Sequence, residues 1–129
     1  MTDLKRILYV EDEPDIQTVT RIVLESIGKF TVRVCSSGAE ALECAMEFKP
    51  DLYLLDVMMP GMDGPQTLTR LQQLPELNKI PVIFMTAKVQ PHEIQQLQDL
   101  GAIEIIAKPF DPMTLTDQIN SAWLNYSGG

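Results

Sequence analysis

The chain has 129 residues, 45% of them hydrophobic and 22% charged. That fits one soluble domain with a real core and excludes disordered and fibrous classes. Acidic residues outnumber basic ones by 18 to 10, a net charge of −8, which argues against direct binding to DNA, RNA or an anionic membrane.

The chain alternates short β-branched runs with amphipathic stretches. The opening Met1-Thr-Asp-Leu-Lys-Arg-Ile lacks the cleavage pattern of a signal peptide, and no apolar run approaches the ~20 residues of a membrane helix. The first strand is Ile7-Leu-Tyr-Val10, nearly continuous in apolar residues. A helix over 14–27 follows, with Pro14 in its first turn, Gly28 as its stop, and Ile16, Val19, Ile22, Val23 and Ile27 on one face. Thr31-Val-Arg-Val34 alternates in polarity, as an edge strand does. Ser37 and Glu40 form a capping-box signature at the start of a helix over 38–47 carrying Leu42, Ala45 and Met46. Leu52-Tyr-Leu-Leu55 is the third strand, and a weaker helix over 64–73 turns Leu68 and Leu71 inward. Pro81-Val-Ile-Phe-Met85 is the fourth strand, followed by a helix over 91–100 with Ile94, Leu97 and Leu100, ended by Gly101. Ile103-Glu-Ile-Ile-Ala107 is the fifth. Asp111 as N-cap and Pro112 open a helix over 112–125, with Leu115, Ile119, Ala122 and Trp123 inward. Residues 126–129 then form a tail.

Five βα units imply right-handed crossovers and a doubly wound parallel α/β sheet. Sites in such sheets lie beyond the carboxyl ends of the strands. Glu11, Asp12 and Glu13 follow the first strand, Asp56 the third, Thr86 the fourth and Lys108 the fifth. If the first and third strands are neighbours, Glu11, Asp12 and Asp56 converge. Such a cluster is costly without a cation. Oxygen ligands without His or Cys favour Mg²⁺. A carboxylate nucleophile beside a hydroxyl, an ammonium and a divalent cation is a phosphoryl-binding set.

Glu11-Asp12, Leu54-Leu-Asp-Val-Met-Met-Pro-Gly-Met-Asp-Gly64, Met85-Thr-Ala87 and Ala107-Lys-Pro-Phe110 together resemble the receiver domain of bacterial two-component response regulators. The resemblance spans residue 5 to about residue 125 and is carried by four motifs in order, each at a strand end. It implies a flavodoxin/CheY-like fold with five helices and strand order 2-1-3-4-5. It further implies that Asp56 accepts a phosphoryl group from a sensor histidine kinase, a phosphotransfer protein or a small acyl phosphate. Glu11, Asp12, Asp56 and the Met58 backbone carbonyl would hold Mg²⁺. Thr86 would move onto the phosphoryl group and Lys108 would pair with it. Lys108–Pro109 matches a peptide bond usually cis in the family. The expected protein is cytoplasmic, catalyses only its own phosphorylation and dephosphorylation, and switches its contact with a downstream protein partner.

Other polar residues have plainer readings. Glu13 is a solvated residue before Pro14, Asp63 a turn residue, Asp51 a residue at the wrong end of the sheet, and His92 a surface residue. Met58, Met59 and Met62 form an apolar loop. Cys35 and Cys44 match no metal or redox spacing and read as two reduced thiols. Met58 and Lys88 match variable positions associated with hydrolysis of the phosphorylated state. Ile105 stands where many relatives carry an aromatic residue, so a muted switch on that face is expected, unless it is simply a buried strand residue. From Val89 to Gly129 the only Lys or Arg is Lys108. That disfavours the charge-paired dimer of DNA-binding relatives and suits a monomer docking a protein. An Mg²⁺-dependent phosphatase with an aspartyl-phosphate intermediate is the enzyme alternative, but Met58 cannot transfer protons where such enzymes carry a second Asp. An FMN module would not place Glu-Asp-Glu-Pro-Asp in its phosphate loop. A docking receiver that is never phosphorylated needs none of the site residues. The five units consume nearly all 129 residues, so a single receiver domain over 1–129 is expected, without a DNA-binding output domain in this chain.

Overall fold

Strands that are apolar at every position need cover on both faces. In the computed structural model, which describes residues 3–128, three strands have that cover: β1 (Arg6–Val10), β3 (Leu52–Asp56) and β4 (Val82–Thr86). They occupy the centre of a parallel sheet in the order β2-β1-β3-β4-β5. The edges are β2 (Thr31–Cys35), which alternates as its sequence requires, and the half-buried β5 (Ala102–Ala107). The helices are α1 (Pro14–Ser26), α2 (Gly38–Phe48), α3 (Gly64–Gln72), α4 (Pro91–Asp99) and α5 (Leu115–Gly128). A 3-10 turn at Pro75–Leu77, absent from the sequence reading, precedes β4 and buries Leu77.

Alternation along the strands divides the core into two layers. Leu8, Val10, Tyr53, Leu55 and Phe84 face Ala41, Cys44 and Ala45 of α2, Leu68 and Leu71 of α3, and Leu97 of α4. Ile7, Tyr9, Leu52, Leu54, Ile83 and Met85 face Val23 and Leu24 of α1 and Leu115, Ile119, Ala122 and Trp123 of α5. Each fully buried leucine or isoleucine contributes about 1.5–3 kcal/mol.

The helices differ from their sequence expectations in detail. On α1, Val19, Ile22 and Ile27 point outward and Thr20, Val23 and Leu24 inward. The inward face includes a polar residue because the Thr20 hydroxyl lies 3.1 Å from the buried Tyr9 hydroxyl. On α2, Met46 is exposed, as is Leu100 after α4. The Ser37 side chain caps α2 by accepting from Glu40 N–H, but Glu40 reaches back to Ser36 N–H rather than Ser37 N–H. Asp63 does more than turn the chain: it closes a reciprocal capping box with Gln66 at the start of α3. At α5 the Asp111 carbonyl accepts from both Thr114 and Leu115 N–H, and its carboxylate accepts from Met113 N–H. That closes a separate turn over residues 112–114, so the continuous helix starts at Leu115 rather than Pro112. It also continues through Tyr126, Ser127 and Gly128, where a tail was expected, with the Tyr126 ring 6.0 Å from that of Trp123. Gly129 lies outside the described residues. Among the described residues, no helix is long and apolar enough to cross a membrane.

Gly64 fixes how α3 meets the sheet. Its N–H donates to Val57 O, and a Cβ there would lie 2.5 Å from Asp56 O and 3.0 Å from Val57 Cα. Both neighbours are backbone, so neither can rotate away. Gly64→Ala is expected to cost about 1–3 kcal/mol, read as a lower urea midpoint. A midpoint equal to wild type would show that the loop yields freely.

Candidate functional site

The strand register carries the site. Val10 stands opposite Cys35 and Leu55, Asp56 opposite Met85, and Thr86 opposite Ala107. The ladder continues one step past the strands: Glu11 N–H donates to Cys35 O, Val57 N–H to Met85 O and Lys108 N–H to Thr86 O, at 2.9–3.0 Å. Glu11, Asp56, Thr86 and Lys108 therefore sit on or directly beside backbone held in the sheet ladder, as placement of side chains within fractions of an ångström requires.

Lys108 Nζ lies 3.1 Å from Glu11 Oε1 and 3.2 Å from Asp56 Oδ1. Glu11 is fully buried and Asp56 nearly so. The Lys108–Pro109 peptide is cis. Glu11 Oε1 also lies 3.4 Å from the Tyr9 hydroxyl, and its Oε2 accepts from Glu13 N–H at 3.3 Å. Gln17 Nε2 donates to Glu11 O and, at 3.1 Å, to Ser36 Oγ. The buried Thr86 hydroxyl accepts from Lys88 N–H at 3.0 Å, leaving its own hydrogen to donate.

One carboxylate oxygen from each of Glu11, Asp12 and Asp56 lies within 4.8 Å of the other two. Burial and the Asp56 charge push Glu11 up to about 6, against the pull of Lys108. Asp56 is raised by burial too, again opposed by Lys108. Burial works to lower Lys108, but the two carboxylates outweigh it and hold the ammonium above its ordinary range. One ammonium does not balance three carboxylates. The donor set, all oxygen without His or Cys, fits a hard divalent cation such as Mg²⁺.

The residues picked from strand ends thus fall at one place, with Asp12 half-buried at its rim. Met58 is 57% exposed, so its thioether points to solvent rather than into the cluster. The other readings also find their places. Asp51 braces the opposite end of the sheet by accepting from Lys5 and Arg6 N–H. Glu13 and His92 are exposed, and Ile105 is half-buried beside Phe84, its β4 partner. Sequence reasoning missed Tyr9, Gln17 and Thr20. A tyrosine in an otherwise aliphatic strand was the one available signal, since its hydroxyl needs a partner when buried.

The family model for the response regulator receiver domain matches residues 7–120. The chain belongs to that family. The receiver is 33% identical over 121 residues to the transcriptional regulatory protein CseB of Streptomyces coelicolor, covering 94% of this chain and 50% of that protein. It is 36% identical over 115 residues to sporulation initiation phosphotransferase F of Bacillus subtilis, covering 89% of this chain and 90% of that protein. A crystal structure of the chemotaxis protein CheY4 of Vibrio cholerae superposes with a TM-score of 0.85 at 26% identity, covering 93% of this chain and 99% of that one. The chain spans about half the length of several curated regulators it matches. Its role is that of the family, a receiver in phosphorylation-based two-component signalling, and receivers bind Mg²⁺ at an acidic site.

Two outcomes follow from these charges. A carboxyl group raised from 4.5 to about 6 stabilises the receiver fully below the lower value, and that contribution is lost as pH rises through the upper one. In EDTA, the stability of wild type relative to Glu11→Gln should fall by roughly 1.5 kcal/mol between pH 4.5 and 7. Urea unfolding checks this, and a flat difference would refute the shift. Saturating Mg²⁺ should raise the melting temperature by mass action, by an amount worth ~2.7 kcal/mol at a hundredfold excess over Kd. Asp12→Ala should shrink that rise, and a metal-independent wild-type melt would count against the cation site.

Proposed function

We propose that this receiver takes a phosphoryl group onto Asp56 and uses the modified state to change its contact with a downstream protein. The observation that carries the reading is Asp56 itself: a buried carboxylate at the end of the central strand, 3.2 Å from an ammonium and grouped with two further carboxylates. A carboxylate oxygen of Asp56 attacks phosphorus, and the bond to the donor's imidazole nitrogen or acyl oxygen breaks with its electron pair leaving on the donor. Lys108 stays beside the acceptor and neutralises charge gathering on the phosphoryl oxygens. Thr86 exchanges its bond from Lys88 N–H for donation to the phosphoryl group, which loosens the start of the β4–α4 loop. Glu11, Asp12, Asp56 and the Met58 carbonyl would hold Mg²⁺, which supplies charge neutralisation at the transferring group.

The donor is a sensor histidine kinase or a phosphotransfer protein, and the setting is the cytoplasm. An apolar groove of about 280 Å³ opens beside Lys108, lined by Ile16, Val19, Pro109, Phe110 and Pro112. It supports docking of a donor protein next to Asp56 rather than reliance on small donors alone. The chemistry is self-catalysed and single-turnover. A phosphatase reading lacks a proton-transferring group where Met58 stands, with its thioether exposed. The chain acts as one receiver module without DNA contact: from Val89 to Gly129 the only Lys or Arg is Lys108.

With acetyl phosphate and Mg²⁺, intact-mass measurement should show one added phosphoryl group on wild type and none on Asp56→Asn. Lys108→Ala should form the adduct at least about tenfold more slowly, a loss on the scale of one transition-state contact. No Mg²⁺-dependent adduct on the wild-type protein would overturn the reading.

A further inference from the structure

Two buried nucleophiles take no part in the Asp56 chemistry. Cys35 ends β2 and Cys44 lies on α2, and both thiols are free. Their Sγ atoms are 3.1 Å apart, about 1 Å beyond the ~2.05 Å length of a disulfide bond. The sequence spacing hides this pairing, because α2 crosses back over the sheet to bring Cys44 against the strand end. Cys35 is fully buried, whereas Cys44 retains 6% exposure.

We propose that Cys35 and Cys44 form a redox-convertible dithiol, closed by a peroxide into a disulfide within one chain. The chemistry balances in two steps. The Cys44 thiol loses its proton and attacks the peroxide. An S–O bond forms, the O–O bond breaks, and the departing oxygen takes the proton as water. The Cys35 sulfur then attacks the Cys44 sulfenyl sulfur. An S–S bond forms, the S–O bond breaks, and hydroxide leaves with the Cys35 proton as a second water. Two thiols lose two electrons and one peroxide gains them.

Geometry assigns the order. Cys44 is the less buried of the two residues, 6% exposed against none for Cys35, so it is assigned the first attack and Cys35 the resolving role. Cys35 exposes no surface from which a peroxide could reach it, so it is a poor first attacker. The first step is therefore slow and waits on local opening. The second is fast, because the reacting sulfurs are already held together. The Cys35 carbonyl accepts the Glu11 amide at 3.0 Å, so the new bond forms one peptide from the acidic site.

The test uses the wild-type chain treated with hydrogen peroxide, quenched, then denatured in iodoacetamide. The expected product is a monomer with neither cysteine alkylated, restored to two alkylated cysteines by dithiothreitol. Its melting temperature should exceed that of the reduced protein, since a cross-link restricts the unfolded chain. Methionine oxidation adds oxygen without blocking cysteine alkylation, so it does not imitate this result. With dimedone present, Cys35→Ala should trap a sulfenic acid at Cys44, whereas wild type should trap none. Two alkylated cysteines in oxidised wild type, or a disulfide joining two chains, would overturn the proposal whether or not the alanine variant folds.

Discussion

One ammonium among buried carboxylates sets the terms for this molecule. Lys108 lies 97 residues from Glu11 and 52 from Asp56, yet its Nζ reaches both. A carboxylate taken into the interior loses several kcal/mol of hydration, and only a well-placed opposite charge offsets it. Here the offset is partial. Glu11 and Asp56 both remain harder to ionise than in water. The site is therefore short of positive charge before any ligand arrives. That deficit is what a divalent cation, bound among the three carboxylates, can make up.

The sheet makes that placement repeatable. Parallel neighbours carry their carboxyl ends to the same edge, so residues that follow different strands become neighbours without sequence proximity. The backbone bonds beyond β1, β3 and β5 extend the ladder just far enough to hold Glu11, Val57 and Lys108. Gly64 completes the arrangement, because the chain leaving Asp56 must pass within contact of its own helix α3. Stability and site geometry therefore depend on the same few peptide units.

The strands and the carboxylate–lysine cluster were legible because both are written in residue type and order. Continuous apolar runs announced buried strands, and Glu11, Asp12, Asp56 and Lys108, picked at three strand ends, fell together. Helix faces were less legible. The apolar count on α1 favoured Val19, Ile22 and Ile27, but periodicity cannot see that a strand tyrosine needs a helix hydroxyl. The end of α5 was missed for a related reason. Residues 126–129 read as a short tail, while the Trp123–Tyr126 ring contact supports another turn. The Cys35–Cys44 approach was invisible, since nothing in a nine-residue separation reports how a helix crosses a sheet.

The α1 discrepancy links the interior to the surface. Tyr9 is fully buried, and its hydroxyl has Thr20 and Glu11 within reach. A buried hydroxyl left unpaired costs about 1–3 kcal/mol, comparable to what burying one more aliphatic side chain on α1 contributes. Pairing with Thr20 therefore competes on equal terms with apolar burial in deciding how α1 rotates. Once Thr20 turns in, Val19 lies about 100° around the helix and is left 46% exposed, with Ile22 at 53%. Val19 then lines the groove beside Lys108 and Phe110. One buried phenol thus helps orient Glu11 within the site and sets which apolar side chains α1 presents outside it.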